Sequence, residues 1–307
     1  MYIYEPINNI ISQMKANNVF RGLGIALITP FKSDGKVDFP ALQAIVENQI
    51  GNGIDFLCIL GTTAETPCLS DSEKNEIIKT VVEVNNKRVP ILLGCGSNNT
   101  ATVAEYLQTT DFTGIDGVLL VCPYYNKPTQ DGIYQHFKTL DKVSPLPIVL
   151  YNIPGRTGVN ISASTVLRLA SECEKIVAIK EASGNITQID EILQHAPEGF
   201  EVLSGDDAIT FELLSAGAVG VISVIGNAYP YEFNEMVKNI QRGDIEKARI
   251  IHRHFNELYQ LLSVDGNPAG IKCLMSLLNK CENKLRLPLV PVREVTRQQM
   301  IEWTKEA

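Results

Sequence analysis

The stretch IVAIKEASG, residues 176–184, begins with four apolar residues and then places Lys180 at the end of a predicted buried strand. A run that is apolar at every position is typical of a parallel strand covered on both faces. Most lysines at strand ends extend along apolar surface and hold the ammonium group in water. The alternative is a lysine held so that its neutral amine can attack a carbonyl group. The rest of the chain decides between these interpretations.

Similar apolar runs recur throughout the 307 residues. They predict eight parallel strands, at 24–30, 56–61, 91–96, 117–123, 147–154, 176–183, 201–207 and 220–226. Helical spacing between most of them predicts helices at 40–52, 71–87, 100–112, 131–142, 162–172, 187–196 and 208–216. Ser70-Asp71-Ser72-Glu73 is a capping-box pattern at the start of the second helix.

This alternation predicts an α/β fold, a (β/α)8 TIM barrel. A doubly wound open sheet is the alternative, but eight evenly recurring units favour closure. After the last strand, helical patterns at 229–242, 244–262, 267–280 and 296–306 predict the final barrel helix and a small C-terminal helical appendage. We therefore predict an N-terminal extension at 1–20, the barrel at 21–242 and a C-terminal helical region at 243–307.

The composition argues against several classes of partner. The net charge of −8, without runs of like charge, argues against a nucleic-acid partner. The seven cysteines contain no C-x-x-C pair, which suits a reducing compartment. The N-terminus lacks the features of a signal peptide, and no apolar stretch is long enough to span a bilayer. These two absences predict a cytoplasmic protein. The four histidines show no metal-ligand spacing, so we predict no metal site.

Active sites of TIM barrels lie at the C-terminal ends of the strands, where Lys180 is predicted to lie. Other strands end in segments rich in hydroxyl, phenol and guanidinium groups: Gly61-Thr62-Thr63-Ala64-Glu65, Pro123-Tyr124-Tyr125-Asn126, the segment 151–158 and Ser204-Gly205-Asp206-Asp207. A lysine amine can form a Schiff base with a carbonyl substrate, and a phenol can transfer the protons. A threonine turn and an arginine can each bind a carboxylate. This set of groups favours the interpretation of Lys180 as a nucleophile over that of a solvated lysine.

Each candidate also has a purely structural interpretation. Tyr124 and Tyr125 could be aromatic packing at a surface or interface, and for Tyr124 we favour interface packing alone. Arg156 could be a solvated loop arginine. Its place between Pro154-Gly155 and Thr157-Gly158 instead suggests a rigid loop that holds the side chain in one position. Asp207 could be a helix N-cap. Glu181 alternates away from Lys180 and should face the helix layer.

The motifs GTTAE, CPYYNKP, YNIPGRTG, IKEASGN, LSGDD, GVISV, NPAGIK and RLPL occur in this order along the chain. In this combination, from about residue 20 onward, the chain resembles the pyruvate-dependent class I aldolase superfamily. Within it, the chain resembles the 4-hydroxy-tetrahydrodipicolinate synthase (dihydrodipicolinate synthase) family. The resemblance implies an enzyme of the lyase class that acts without a cofactor, because the lysine imine is the electron sink.

The resemblance also implies a role for each site residue. Lys180 would form the Schiff base with pyruvate, and Tyr151 would relay protons. Thr62 would link Tyr151 to Tyr125, a tyrosine that members of the family supply from a neighbouring subunit. Further substrate contacts are implied for Thr63 with the pyruvate carboxylate, Arg156 with the carboxylate of aspartate semialdehyde, and Gly205 and Ile222 near the imine.

The implied reaction condenses pyruvate with (S)-aspartate 4-semialdehyde, the first committed step toward diaminopimelate and lysine. A homo-oligomer is implied, usually a tetramer built as a dimer of dimers, with some members stopping at the dimer. The alternatives are another pyruvate aldolase, such as N-acetylneuraminate lyase or a 2-keto-3-deoxy sugar acid aldolase, and a non-catalytic keto-acid sensor.

The residues aligned with a lysine-binding site differ from those of lysine-sensitive members of enteric type. Asp71 and Lys74 replace two histidines, and Thr102 replaces a glutamate, whereas Asn98 and Tyr124 remain. A ligand ammonium group would lose its anionic partner at Thr102 and be repelled by Lys74. We therefore expect weak or absent inhibition by lysine.

Overall fold

A computed structural model describes residues 19–306 of the chain. Most of the predicted N-terminal extension at 1–20 lies outside the described residues. The eight strands form a closed barrel in chain order, and the strand pairs are parallel. The strands are β1 (Gly22–Ala26), β2 (Phe56–Ile59), β3 (Ile91–Cys95), β4 (Gly117–Val121), β5 (Ile148–Asn152), β6 (Ile176–Glu181), β7 (Glu201–Ser204) and β8 (Gly220–Ser223). The predicted TIM barrel is confirmed.

Helices follow the strands, and further helices follow the barrel. They are α1 (Phe39–Gly51), α2 (Asp71–Asn85), α3 (Thr100–Thr109), α4 (Gln130–Val143), α5 (Pro154–Thr157), α6 (Ala163–Glu172), α7 (Ile186–His195), α8 (Thr210–Ser215), α9 (Pro230–Gln241), α10 (Ile245–His254), α11 (Asn256–Val264), α12 (Ala269–Leu277) and α13 (Glu294–Glu306). The capping box of Ser70 and Glu73 is present at the start of α2. Within residues 19–306, no helix has the length and apolar character to cross a membrane.

The helix predicted at 244–262 is two helices, α10 and α11, which meet at Phe255. The Phe255 backbone has ψ of −3°, and its ring is buried beside the rings of Tyr229, Phe233 and Trp303. This aromatic packing is a tertiary interaction, and it outweighs the continuous helical periodicity of the segment.

The described residues group into two compact units. The first contains Leu92–Val221 and the few described residues before β1, and the second contains Gly22–Ile91 and the chain from Ile222 onward. The first unit holds β4 to β7, and the second holds β1, β2 and the helices from α9 to α13. The domain boundaries at residues 20 and 242 stay a prediction.

Candidate active site

Lys180 and Tyr151 occupy paired positions on β6 and β5. Both are buried, with exposed fractions of 6% for Lys180 and 5% for Tyr151. The Lys180 Nζ atom lies 4.3 Å from the centre of the Tyr151 ring. The alternation of side chains along both strands therefore presents an amine and a phenol side by side in a buried setting.

The backbone of Gly205, just after β7, approaches the stem of Lys180. Its N–H donates to the carbonyl oxygen of Glu181 at 2.7 Å. A Cβ atom at this position would lie 3.0 Å from Lys180 Cε and 2.8 Å from Ala182 Cβ. A larger residue would therefore press on the lysine stem, which explains why this segment needs a glycine.

The next residues on the same two strands, Asn152 and Glu181, point to the opposite face and are fully buried. The Asn152 amide donates to the Glu181 carboxylate, and Gln188 of α7 donates to the same carboxylate at 3.4 Å. The contact with α7 confirms that Glu181 faces the helix layer. Burial raises the pKa of Glu181, against hydrogen bonds from Ser183 and Asn152 that lower it. This network links β5 to β6 directly behind the Tyr151–Lys180 pair.

Tyr125 and Arg156 lie on the segments that follow β4 and β5. Tyr125 is 87% exposed, and its left-handed backbone, with φ of 73°, donates an N–H bond to the Thr157 carbonyl at 3.3 Å. Arg156 is exposed on α5, the short helix that replaces the end of the strand predicted at 147–154. Pro154 begins α5 and Gly158 ends it in the left-handed region, so both ends have the residue types that fix a short turn.

In the second unit, the predicted carboxylate-binding turn is a 3-10 turn, Thr62–Ala64, just after β2. Thr63 is buried, and its Oγ1 accepts a 3.0 Å hydrogen bond from Asn267 Nδ2. Thr62 is half-buried, and Ile222 is buried within β8.

Several polar residues around this turn belong to the motifs GTTAE and NPAGIK but are not among the predicted site residues. Asn267 contacts Thr63, and Glu65, which ends the turn, forms a buried ion pair with Lys272. One sequence signal could have singled out Lys272, although not its partner: Lys272 interrupts the apolar face of a predicted helix, and a buried lysine needs an anion.

The predicted capping role of Asp207 is wrong by one residue. The carboxylate of Asp206 accepts the N–H of Ala208 at 3.1 Å and caps the 3-10 turn Asp207–Ile209. The cap belongs to Asp206 because its backbone is extended, as capping requires, while Asp207 is already inside the turn. Neither aspartate is among the predicted site residues.

Residues 19–307 match the model of the dihydrodipicolinate synthetase family. The chain is 57% identical to 4-hydroxy-tetrahydrodipicolinate synthase of Azobacteroides pseudotrichonymphae, over 92% of this chain and 95% of that protein. The crystal structure of dihydrodipicolinate synthase from Aquifex aeolicus is similar with a TM-score of 0.90 and 41% identity, covering 94% of this chain and 98% of that one.

A second solved structure is that of dihydrodipicolinate synthase from Acinetobacter baumannii complexed with pyruvate. It is similar with a TM-score of 0.90 and 36% identity, covering 94% of this chain and 99% of that one. The family match extends over nearly the whole chain, and the first relative far exceeds the identity at which family membership is secure. The chain therefore belongs to the dihydrodipicolinate synthetase family and is an enzyme of the lyase class.

Proposed function

We propose that this enzyme condenses pyruvate with (S)-aspartate 4-semialdehyde and forms 4-hydroxy-tetrahydrodipicolinate. The observation that carries the proposal is the buried pairing of Lys180 with Tyr151, 4.3 Å from Nζ to the ring centre. An amine nucleophile beside a phenol suits imine chemistry on a keto acid. The complex of the Acinetobacter baumannii relative with pyruvate supports the choice of keto acid.

The proposed reaction begins when the neutral Lys180 amine adds to the ketone carbon of pyruvate. The adduct loses water and becomes a protonated imine. Loss of a methyl proton then gives an enamine, whose carbon attacks the aldehyde of the second substrate. Attack of that substrate's amino group on the imine carbon closes the ring and frees Lys180. No external electron sink is needed, so we propose a reaction without a cofactor or metal.

The other site residues have proposed roles in the same reaction. Tyr151 relays protons during imine formation and ring closure, and Thr62 links it to Tyr125. Thr63 and its backbone bind the pyruvate carboxylate, and Arg156 binds the carboxylate of the aldehyde substrate. Gly205 and Ile222 complete the pocket near the imine. The role of Gly205 is supported by its close approach to the Lys180 stem.

The substrate pair is tested by replacing Arg156. In a coupled condensation assay, we expect Arg156→Ala to lower kcat/KM for aspartate semialdehyde about 10- to 100-fold, because a charge-assisted hydrogen bond is lost. The pyruvate KM should change much less. Arg242→Ala, which removes an exposed arginine just after α9, is the control and should behave like the wild type. An unchanged kcat/KM in Arg156→Ala would remove Arg156 from the site.

Two other functions, a different pyruvate aldolase and a keto-acid sensor, would give different results in the same assays. N-acetylneuraminate lyases and 2-keto-3-deoxy sugar acid aldolases use the same lysine chemistry. Typical neuraminate lyases have a serine at the position of Thr62 and lack an arginine at that of Arg156, so this chain favours the synthase. If wild-type protein binds pyruvate covalently but does not turn over aspartate semialdehyde, the sugar acids become the substrates to test. Binding without covalent trapping would indicate a keto-acid sensor.

We propose that lysine inhibits this enzyme weakly or not at all. The Lys74 ammonium lies 3.0 Å from Asp71 Oδ1, so the only carboxylate among the substituted residues already has a cationic partner. Neither Lys74 nor Thr102 supplies an anion to a ligand ammonium group. We expect millimolar lysine to leave the condensation rate nearly unchanged. Half-inhibition below about 1 mM, the concentration that corresponds to roughly 4 kcal/mol of binding free energy, would contradict this.

We also propose a homo-oligomer, a tetramer built as a dimer of dimers, in the cytoplasm. The exposed ring of Tyr125 supports this, because large aromatic side chains at such positions are typical of interfaces. A two-fold interface would exchange Tyr125 reciprocally between two subunits. Sedimentation analysis at working concentration measures the oligomeric state.

A further inference from the structure

Three motifs of the chain contain polar residues that the proposed reaction does not use. Glu65 belongs to GTTAE, Asn267 and Lys272 belong to NPAGIK, and Arg286 belongs to RLPL. These residues are far apart in the sequence, but all lie in the second unit. The structure brings them together around the Thr62–Ala64 turn.

Glu65 and Lys272 form an ion pair that is entirely withdrawn from solvent. The distance from Lys272 Nζ to Glu65 Oε1 is 2.5 Å, and both side chains are 0% exposed. The ammonium group also donates to the Lys284 carbonyl at 3.0 Å and lies 3.9 Å from the centre of the Phe31 ring. Burial lowers the pKa of Lys272, and Glu65 opposes that effect. A pair this deeply buried adds little net stability, so its value lies in fixing a geometry.

The geometry that the pair fixes is the backbone of Glu65. Glu65 is left-handed, with φ of 55°, and it joins the turn Thr62–Ala64 to the next turn, Thr66–Cys68. A residue with a side chain is disfavoured in this region unless its surroundings hold it there. The carboxylate is held on both sides, because Oε2 accepts the backbone N–H of Arg286 at 3.0 Å while Oε1 contacts Lys272.

Asn267 acts on the threonine itself. Its Nδ2 donates to Thr63 Oγ1 at 3.0 Å. A hydroxyl that accepts this bond keeps its own hydrogen for another acceptor. The contact therefore orients Thr63 as a donor, which is the role that binding a carboxylate requires.

We propose that Glu65 and Asn267 are positioning residues for pyruvate binding. Glu65, paired with Lys272, fixes the backbone of the threonine turn, and Asn267 directs the Thr63 hydroxyl toward the keto-acid carboxylate. This inference rests on the proposed function, and it makes the C-terminal segment part of the binding machinery. Neither residue touches the reacting atoms.

The test measures pyruvate occupancy separately from turnover. Borohydride reduces the imine, so the mass of the intact protein gives the fraction of Lys180 trapped at each pyruvate concentration. For Asn267→Ala we expect the half-saturating concentration to rise about tenfold, with full trapping still reached at saturation. The pyruvate KM should rise in parallel, while kcat and the KM for aspartate semialdehyde change little. Glu65→Gln should raise the half-saturating concentration more than Asn267→Ala does, because it breaks the ion pair with Lys272 that fixes the backbone of the turn.

Asn234→Ala is the matched control. Asn234 is a buried amide of the same unit and donates a 2.6 Å hydrogen bond to the Gly53 carbonyl, on the loop before β2. Its removal should lower the melting temperature without changing the half-saturating concentration. Asn267→Ala carries the test if Glu65→Gln does not fold, because it leaves the ion pair intact.

The outcomes separate this inference from the proposed function. If the wild type is trapped by borohydride and Asn267→Ala shows the same half-saturating concentration with only a lower melting temperature, the residues are merely structural and the inference is wrong. If the wild type itself cannot be trapped with pyruvate, the proposed function is wrong and the inference falls with it.

Discussion

Replacing Lys180 with alanine is expected to lower the condensation rate by about four orders of magnitude or more, because the covalent intermediate can no longer form. The substitution also removes the buried stem of Lys180, so the melting temperature should fall, and the rate is therefore compared per folded molecule. Borohydride in the presence of pyruvate should add mass to the wild type and none to Lys180→Ala. Both the coupled rate and the intact mass are measured on the same preparations.

Lys175→Ala is the control for this experiment. Lys175 lies just before β6, at the opposite end of the strand from Lys180, and contacts the Ser144 carbonyl. It is a lysine of the same strand region without a place in the proposed chemistry, so its replacement should keep the rate within a few-fold of the wild type. Full trapping in Lys180→Ala would assign the imine to another lysine and overturn the proposed mechanism.

The barrel could be predicted because its strands carry their own signal. A parallel strand buried on both faces is apolar over most of its length, so the eight strands stand out from the helices between them. Alternation within a strand also has a strict period of two residues, and this placed Glu181 correctly on the face opposite Lys180. Both inferences depend on local patterns that tertiary contacts do not alter.

The features that the sequence did not reveal depend on contacts between distant segments. The helix break at Phe255 comes from rings contributed by α9 and α13. The Glu65–Lys272 pair joins residues separated by most of the chain, and no local pattern indicates which buried lysine meets which carboxylate. The segments that hold most candidate site residues follow from the ends of the predicted strands, and the individual roles follow from the resemblance. The contacts of Asn267, Glu65 and Lys272 around the threonine turn follow only from the structure.

The second large effect is expected on kcat when the hydroxyl of Tyr151 is removed. We expect Tyr151→Phe to lower kcat by about 10²- to 10⁴-fold, because general acid–base catalysis at one site contributes on that order. The ring should keep its place over the Lys180 amine, since the substitution removes only the hydroxyl and the contact of 4.3 Å is made with the ring. Imine formation should therefore become slower while the final trapped fraction at saturating pyruvate stays complete, and stopped-time trapping measures the rate.

Tyr134→Phe separates this effect from the general loss of a phenol. Tyr134 is also buried, and its hydroxyl donates to Glu172, on helices α4 and α6. That variant should lose stability without losing rate per folded molecule. If Tyr151→Phe traps pyruvate as fast as the wild type, the phenol is not the proton relay for imine formation. The relay would then belong to another group or to water, although Lys180 would remain the nucleophile.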